Sequence, residues 1–127
     1  MVTWHDRVVR KTVLIVDDHS GFRSWTRSLL EAEGFVVLGE TADGTSAIAA
    51  ARDLRPDLVL LDVMLPDMTG FAVAERLAAL RHPPDVVLVS SREASDFGPR
   101  IHRVAARGFI SKPDLTGDRL RALLGGA

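Results

Sequence analysis

Cysteine is absent from the 127 residues, which removes disulfides, thiolate nucleophiles and cysteine-ligated zinc or iron–sulfur sites together. Lysine is nearly absent: Lys11 and Lys112 are the only two among sixteen basic side chains. No apolar run approaches the roughly 20 residues that span a bilayer. The start, Met1 to Lys11, is polar and carries Trp4, Arg7, Arg10 and Lys11, so it does not read as a secretory signal. A cytoplasmic protein with no membrane association is the expectation. Net charge is only −1, too little for a bulk attraction to nucleic acid or acidic lipid. The C-terminal third is mildly basic, with Arg92, Arg100, Arg103, Arg107, Lys112, Arg119 and Arg121 against Glu93, Asp96, Asp114 and Asp118.

What is present is the composition of one globular domain, 46% hydrophobic and 26% charged, long enough to bury a core without staples. Five β-branched apolar runs read as strands: Thr12–Asp17, Phe35–Glu40, Leu58–Asp62, Val86–Ser90 and Gly108–Ser111. Three are nearly uninterrupted Val, Leu and Ile, as expected of parallel strands covered on both faces. Segments of helical period lie between them. Phe22, Trp25, Leu29 and Leu30 form the first stripe, with Ser20 as its N-cap and Trp25 in the core. Ala47, Ile48, Ala51 and Leu54 form the second, and Phe71, Ala74, Leu77 and Ala78 the third. Leu115, Leu120, Leu123 and Leu124 form the last, entered through Pro113–Asp114. Gly98 and Pro99 interrupt the fourth, which is expected to be short, from about Arg100 to Ala106.

Five strand–helix units in alternation imply an α/β fold, a doubly wound five-stranded parallel sheet with right-handed crossovers. Such sheets bind ligands beyond the carboxyl ends of their strands, at a topological switch point. The residues at those ends therefore matter most. The first run ends in Asp17–Asp18, the third in Asp62, the fourth in Ser90–Ser91, and the fifth is followed by Lys112–Pro113. The second offers only Glu40.

Clustered carboxylates repel one another by about 1–4 kcal/mol per close pair, so a hard divalent cation is the natural compensation. Oxygen donors favour Mg²⁺ or Ca²⁺, and a shell only partly filled by protein suits Mg²⁺, with room left for a phosphate oxygen. In a chain that otherwise uses arginine, Lys112 places a compact, mobile point charge beside that site. Several of these residues also have plainer readings. Asp18 could cap the first helix, Asp62 could open the following turn, and Ser90 could satisfy a strand-end backbone group. Phe109 could be ordinary core, His19 a solvated loop residue, and Asp67 a turn residue within Pro66–Gly70.

The runs VLIVDDHSGFR, PDLVLLDVMLPDMTG, VVLVSS and GFISKP, in this order, resemble the receiver domain of bacterial two-component response regulators. The resemblance covers about Thr12 to Leu124, which leaves residues 1–11 as an N-terminal extension and 125–127 as a tail. It implies the (βα)5, flavodoxin-like arrangement and a function. Asp62 matches the phosphoacceptor, and Asp17 and Asp18 the acidic pair that holds Mg²⁺, with the backbone carbonyl of Met64 as a further ligand. Ser90 matches the switch hydroxyl, Lys112 the phosphate-pairing lysine and Phe109 the switch aromatic. Met64 and Arg92 occupy the positions that tune phosphoryl lifetime.

The implied partners are a sensor histidine kinase or histidine phosphotransfer protein, and a protein output partner or a second copy of the chain. The implied activity is signalling rather than enzymatic, beyond self-phosphorylation and autodephosphorylation. The sequence departs from the family in having Phe109 where tyrosine is common and in the Gly98–Pro99 break. It closes at Leu124-Gly125-Gly126-Ala127 without a helix-turn-helix, so a stand-alone receiver is expected rather than a truncated regulator. Two rival readings are a degenerate receiver that binds partners unphosphorylated and an Asp-nucleophile phosphatase. The latter usually has an acid two residues after the nucleophile, where this chain has Met64.

Overall fold

The structure, a computed structural model, describes residues 11–125. The expected N-terminal extension and C-terminal tail fall almost wholly outside that range. Within it the five runs are strands: β1 Thr12–Val16, β2 Val36–Thr41, β3 Leu58–Asp62, β4 Asp85–Ser90 and β5 Gly108–Ser111. They form one sheet in the order β2-β1-β3-β4-β5, with every pairing parallel. The chain steps from β1 outward to β2, then crosses back over β1 to β3. That reversal puts the topological switch point between β1 and β3, where Asp17 and Asp62 stand.

Strand pleating sends alternate side chains to opposite faces. Leu14, Val16, Val59 and Leu61 enter one core with Ala47, Ala51, Val73 and Leu77. These come from α2 (Gly44–Leu54) and α3 (Gly70–Ala78). Val13, Ile15, Leu58 and Leu60 enter the other core with Leu30 and Leu120, from α1 (Ser20–Ala32) and α5 (Gly117–Leu123). β1 and β3 are thus covered on both sides, which is why their sequences lack alternation. Burying each such Val or Leu contributes about 1.5–3 kcal/mol.

Capping decides the helix starts. Asp43, Thr69 and Thr116 accept backbone N–H bonds from Ser46, Ala72 and Arg119, and so cap α2, α3 and α5. Three expectations are corrected here. Ser20 is the first residue of α1 rather than its cap; His19 holds the cap position without a side-chain bond. Trp25 is not core: it is 51% exposed and leans on Phe22, while Thr26 takes the buried position. The last helix begins at Gly117, after a 3₁₀ turn over Lys112–Asp114, so Leu115 is buried ahead of the helix rather than on it.

The fourth helix is shorter than expected. A 3₁₀ turn, Ala94–Phe97, leads to Gly98 at φ 61, and α4 is a single turn, Arg100–Arg103. Positive φ suits glycine, and Pro99 then starts a new segment instead of continuing the old one. Phe97 anchors this stretch. Its ring packs edge-on to Phe71, with centroids 5.5 Å apart, and lies 5.8 Å from Phe109.

Candidate functional site

The site lies at the carboxyl edge of β1, β3, β4 and β5. Asp17 follows β1 and is fully buried, with its amide donating to the Thr41 carbonyl at 3.0 Å. Its Oδ1 accepts the His19 amide at 2.8 Å. Its Oδ2 is buried without a hydrogen-bond partner, yet the Lys112 ammonium lies 2.7 Å away. The contact is therefore a close ion pair whose angle is not that of a hydrogen bond. Lys112 also stands 3.5 Å from Asp62 Oδ2 and 4.4 Å over the Phe22 ring.

Asp62 ends β3, only 3% exposed, and its Oδ1 accepts the Met64 amide at 3.2 Å. Its carboxyl is pushed up to about 6, first by burial and then by the Asp17 charge, with Lys112 and the Met64 amide pulling the other way. A carboxyl so raised is short of positive charge. Donor atoms from Asp17, Asp18, His19 and Asp62 all lie within 4.8 Å of one another. Three carboxylates gathered this closely against one ammonium make an oxygen-rich donor set that fits a hard divalent cation.

Ser90 ends β4, buried to 1%, and its hydroxyl accepts the Arg92 amide at 3.1 Å. Beside it in register is Ser111, whose hydroxyl donates to Glu93 Oε2 at 3.2 Å. Met64 and Arg92, each two residues beyond a strand end, are both exposed. Phe109 is half-buried on β5 against Phe97. The sequence-derived residues are thus gathered at one sheet edge, apart from Phe109, one layer away on the α4 side. Glu40 is tied instead to Arg23 and Arg27, at 3.1 and 2.7 Å, and its carboxyl is held below its usual range mainly by Arg27.

Sequence reasoning missed three participants. His19 is exposed, as expected of a loop residue, but its Nδ1 reaches Asp17 and Asp18, each at 3.1 Å. Adjacency to the acidic pair was the available signal. Phe22 forms a wall for Lys112; its place on the stripe gave no hint of this. Asp67 does more than make a turn. Its carboxylate accepts from Gly44 N, Thr45 N and Thr45 Oγ1 at 2.8, 2.9 and 2.8 Å, across to α2.

A parallel sheet of this strand order is flavodoxin-like, the class that includes CheY-like proteins. A sequence model of the response regulator receiver domain matches residues 13–124, and the chain belongs to that family. It is 39% identical over 103 residues to the response regulator GacA of Pseudomonas aeruginosa, covering 79% of this chain and 47% of that protein. The signal receiver domain of a modulated diguanylate cyclase from Desulfovibrio desulfuricans superposes with a TM-score of 0.79 at 33% identity, over 91% of each chain. A CheY-like receiver domain protein from Methanospirillum hungatei gives 0.79 at 28% identity, over 91% of this chain and 92% of that one. The chain spans about half the length of the curated relatives it matches. No helix among the described residues is long and apolar enough to cross a membrane.

Proposed function

We propose that this chain accepts a phosphoryl group on Asp62 from the phosphohistidine of a sensor kinase or histidine phosphotransfer protein in the cytoplasm. The observation that carries the reading is the buried Asp62 carboxylate at the switch point, with Lys112 Nζ 3.5 Å away and Asp17 sharing that ammonium. Mg²⁺ would be held by Asp17, Asp18, Asp62 and the Met64 carbonyl. Bound there, it would supply charge neutralisation for the oxygens of the transferring group.

The chain's own residues do the rest. An Asp62 oxygen attacks phosphorus in line; the new P–O bond forms as the P–N bond breaks, and that electron pair leaves with the imidazole nitrogen. Lys112 offers its ammonium to the phosphoryl oxygens, a short displacement from its place between the two aspartates. The product carries about −1.5 to −2 charge and strong acceptors. Ser90 then turns its hydroxyl toward that group, and Phe109 fills the space released. Met64 and Arg92, exposed at the rim, govern access of water and hence phosphoryl lifetime.

Output is by protein contact at the surface formed by α4, β5 and α5, to a partner or a second copy, without nucleic acid binding by this segment. A groove lined by Phe109, Asp118, Arg119 and Leu123 lies on that surface. Intact mass after incubation with acetyl phosphate tests the core of the reading. Wild type in Mg²⁺ gains one phosphoryl mass, while Asp62→Asn, or wild type in excess chelator, gains none. Full labelling of either negative arm sinks it.

A further inference from the structure

We infer that Asp67 is a positioning residue for the acceptor loop, fixing the Met64 backbone by tying that loop to the first turn of α2. The inference rests on the reading of Asp62, Met64 and Mg²⁺ given above.

The loop from Val63 to Gly70 is closed at its base. The Gly70 amide donates to the Val63 carbonyl at 2.7 Å, and Met64 and Thr69 form an isolated antiparallel bridge. Gly70 is required there, since a Cβ would collide with the Asp62 carbonyl and the Val63 Cα. The Met64 amide is engaged by Asp62 itself. Of the residues between, Leu65 and Met68 pack against the core, while Pro66 and Asp67 are exposed. The polar anchorage of this stretch is Asp67, which uses both carboxylate oxygens on α2.

Helix formation alone does not demand this. α2 has its own cap, Asp43, bonded to Ser46 N at 2.8 Å. The Gly44 and Thr45 amides are further free donors of the helix start, Thr45 exposed and Gly44 buried beneath Met68. A carboxylate from another segment takes both, favoured by the positive end of the helix dipole. Its pKa falls to about 2 through those backbone bonds, so it is an anion at any working pH. Met68 seals the junction, packing so closely on Gly44 that a Cβ there would overlap its side chain. One face of the loop is thus latched to α2, and the other carries the carbonyl assigned to the cation.

The test compares Asp67→Ala and Asp67→Asn with Asp43→Ala, which removes the helix's own cap and touches nothing in the acceptor loop. Three quantities are read on each chain: the midpoint of thermal unfolding, the Mg²⁺ dissociation constant from amide NMR shifts of residues 62–70, and the rate of labelling by acetyl phosphate. Loss of such a supporting contact weakens metal binding by about tenfold or more. Asp67→Ala is expected to show that weakening, with slow labelling at low Mg²⁺ that recovers at saturating Mg²⁺. Asp67→Asn, which keeps one acceptor oxygen, falls between it and wild type and serves alone if the alanine variant does not fold. Asp43→Ala loses thermal stability but keeps the wild-type dissociation constant. Unchanged Mg²⁺ affinity in both Asp67 variants, or equal weakening in Asp43→Ala, overturns the inference. Failure of wild type to gain phosphoryl mass overturns the proposed function instead, with the Mg²⁺ comparison still deciding the role of Asp67. Absence of Mg²⁺ binding by wild type overturns both.

Discussion

Lys112 sits closer to Asp17 than to the acceptor: its ammonium is 2.7 Å from Asp17 Oδ2 and 3.5 Å from Asp62 Oδ2. The resting lysine is therefore chiefly the counter-ion of a fully buried carboxylate, and that of Asp62 second. Lys112→Ala would leave Asp17 buried without that charge. Breaking such a pair costs about 3–5 kcal/mol, so urea unfolding at pH 7.5 without Mg²⁺ should show a loss of that size, together with poor labelling. An unchanged midpoint would show that Asp17 does not depend on Lys112.

The raised Asp62 carboxyl gives a pH prediction with a definite sign. Unfolded, the group ionises near 4; folded, it ionises at about 6. Above 6 the folded state carries a charge it disfavours, and below 4 both states are protonated. This group's destabilisation is therefore fully present at neutral pH and disappears as pH falls from 6 to 4. Asp62→Asn should raise apo-protein stability on the order of 2 kcal/mol at pH 7.5, with the gain vanishing near pH 4. A gain independent of pH would assign it to another cause.

Ser90 and Lys112 should fail differently. The Ser90 hydroxyl accepts the Arg92 amide, and no ion pair involves it. Ser90→Ala is expected to leave labelling within about threefold of wild type, since a neutral hydrogen bond is worth only about 0.5–1.5 kcal/mol. The spectral change that follows labelling should weaken. Parallel losses of labelling and spectral response in Ser90→Ala and Lys112→Ala would contradict that division.

Phe97 links Phe71 on α3 to Phe109 on β5 by ring contacts, which motivates a prediction for the α4 side. The beryllofluoride complex should shift amides between residues 90 and 121 more than those of α2 and the body of α3. Phe97→Ala removes a buried ring, costing about 3–5 kcal/mol, and should confine the shifts to the Asp62 loop. Wild-type shifts already confined to that loop, with no change in self-association or kinase binding, would reject the output face.

The layered fold was readable because β1 and β3 are two-sided hydrophobic strands and a parallel sheet leaves little else to do with them. The acidic pair, Asp62, Ser90 and Lys112 were readable because strand ends converge in such a sheet, whatever their distance in sequence. What escaped depended on direction rather than position. Trp25 fits the apolar stripe of α1 as well as Phe22 does, yet the helix turns it outward and buries Thr26 instead. Asp67 reads as a turn residue in one dimension, and only the approach of α2, 22 residues earlier, makes it a latch. The mildly basic character of the last third is partly offset by pairing. Arg107 is paired with Asp85, and Arg121 with Glu33 and Asp118.

The interrupted α4 bears on time as much as on shape. The stretch between β4 and β5 is held largely by short-range bonds, such as Asp96 N to Glu93 O and His102 N to Pro99 O, with Phe97 as its buried anchor. Segments with few long-range bonds open at a small fraction of the global unfolding free energy. Rearrangement of this side of the molecule then needs no long helix to be unwound or re-registered. Opening this stretch means releasing Phe97, with the partly buried Ile101, Val104 and Ala106, from the core beneath it, rather than unwinding several helical turns.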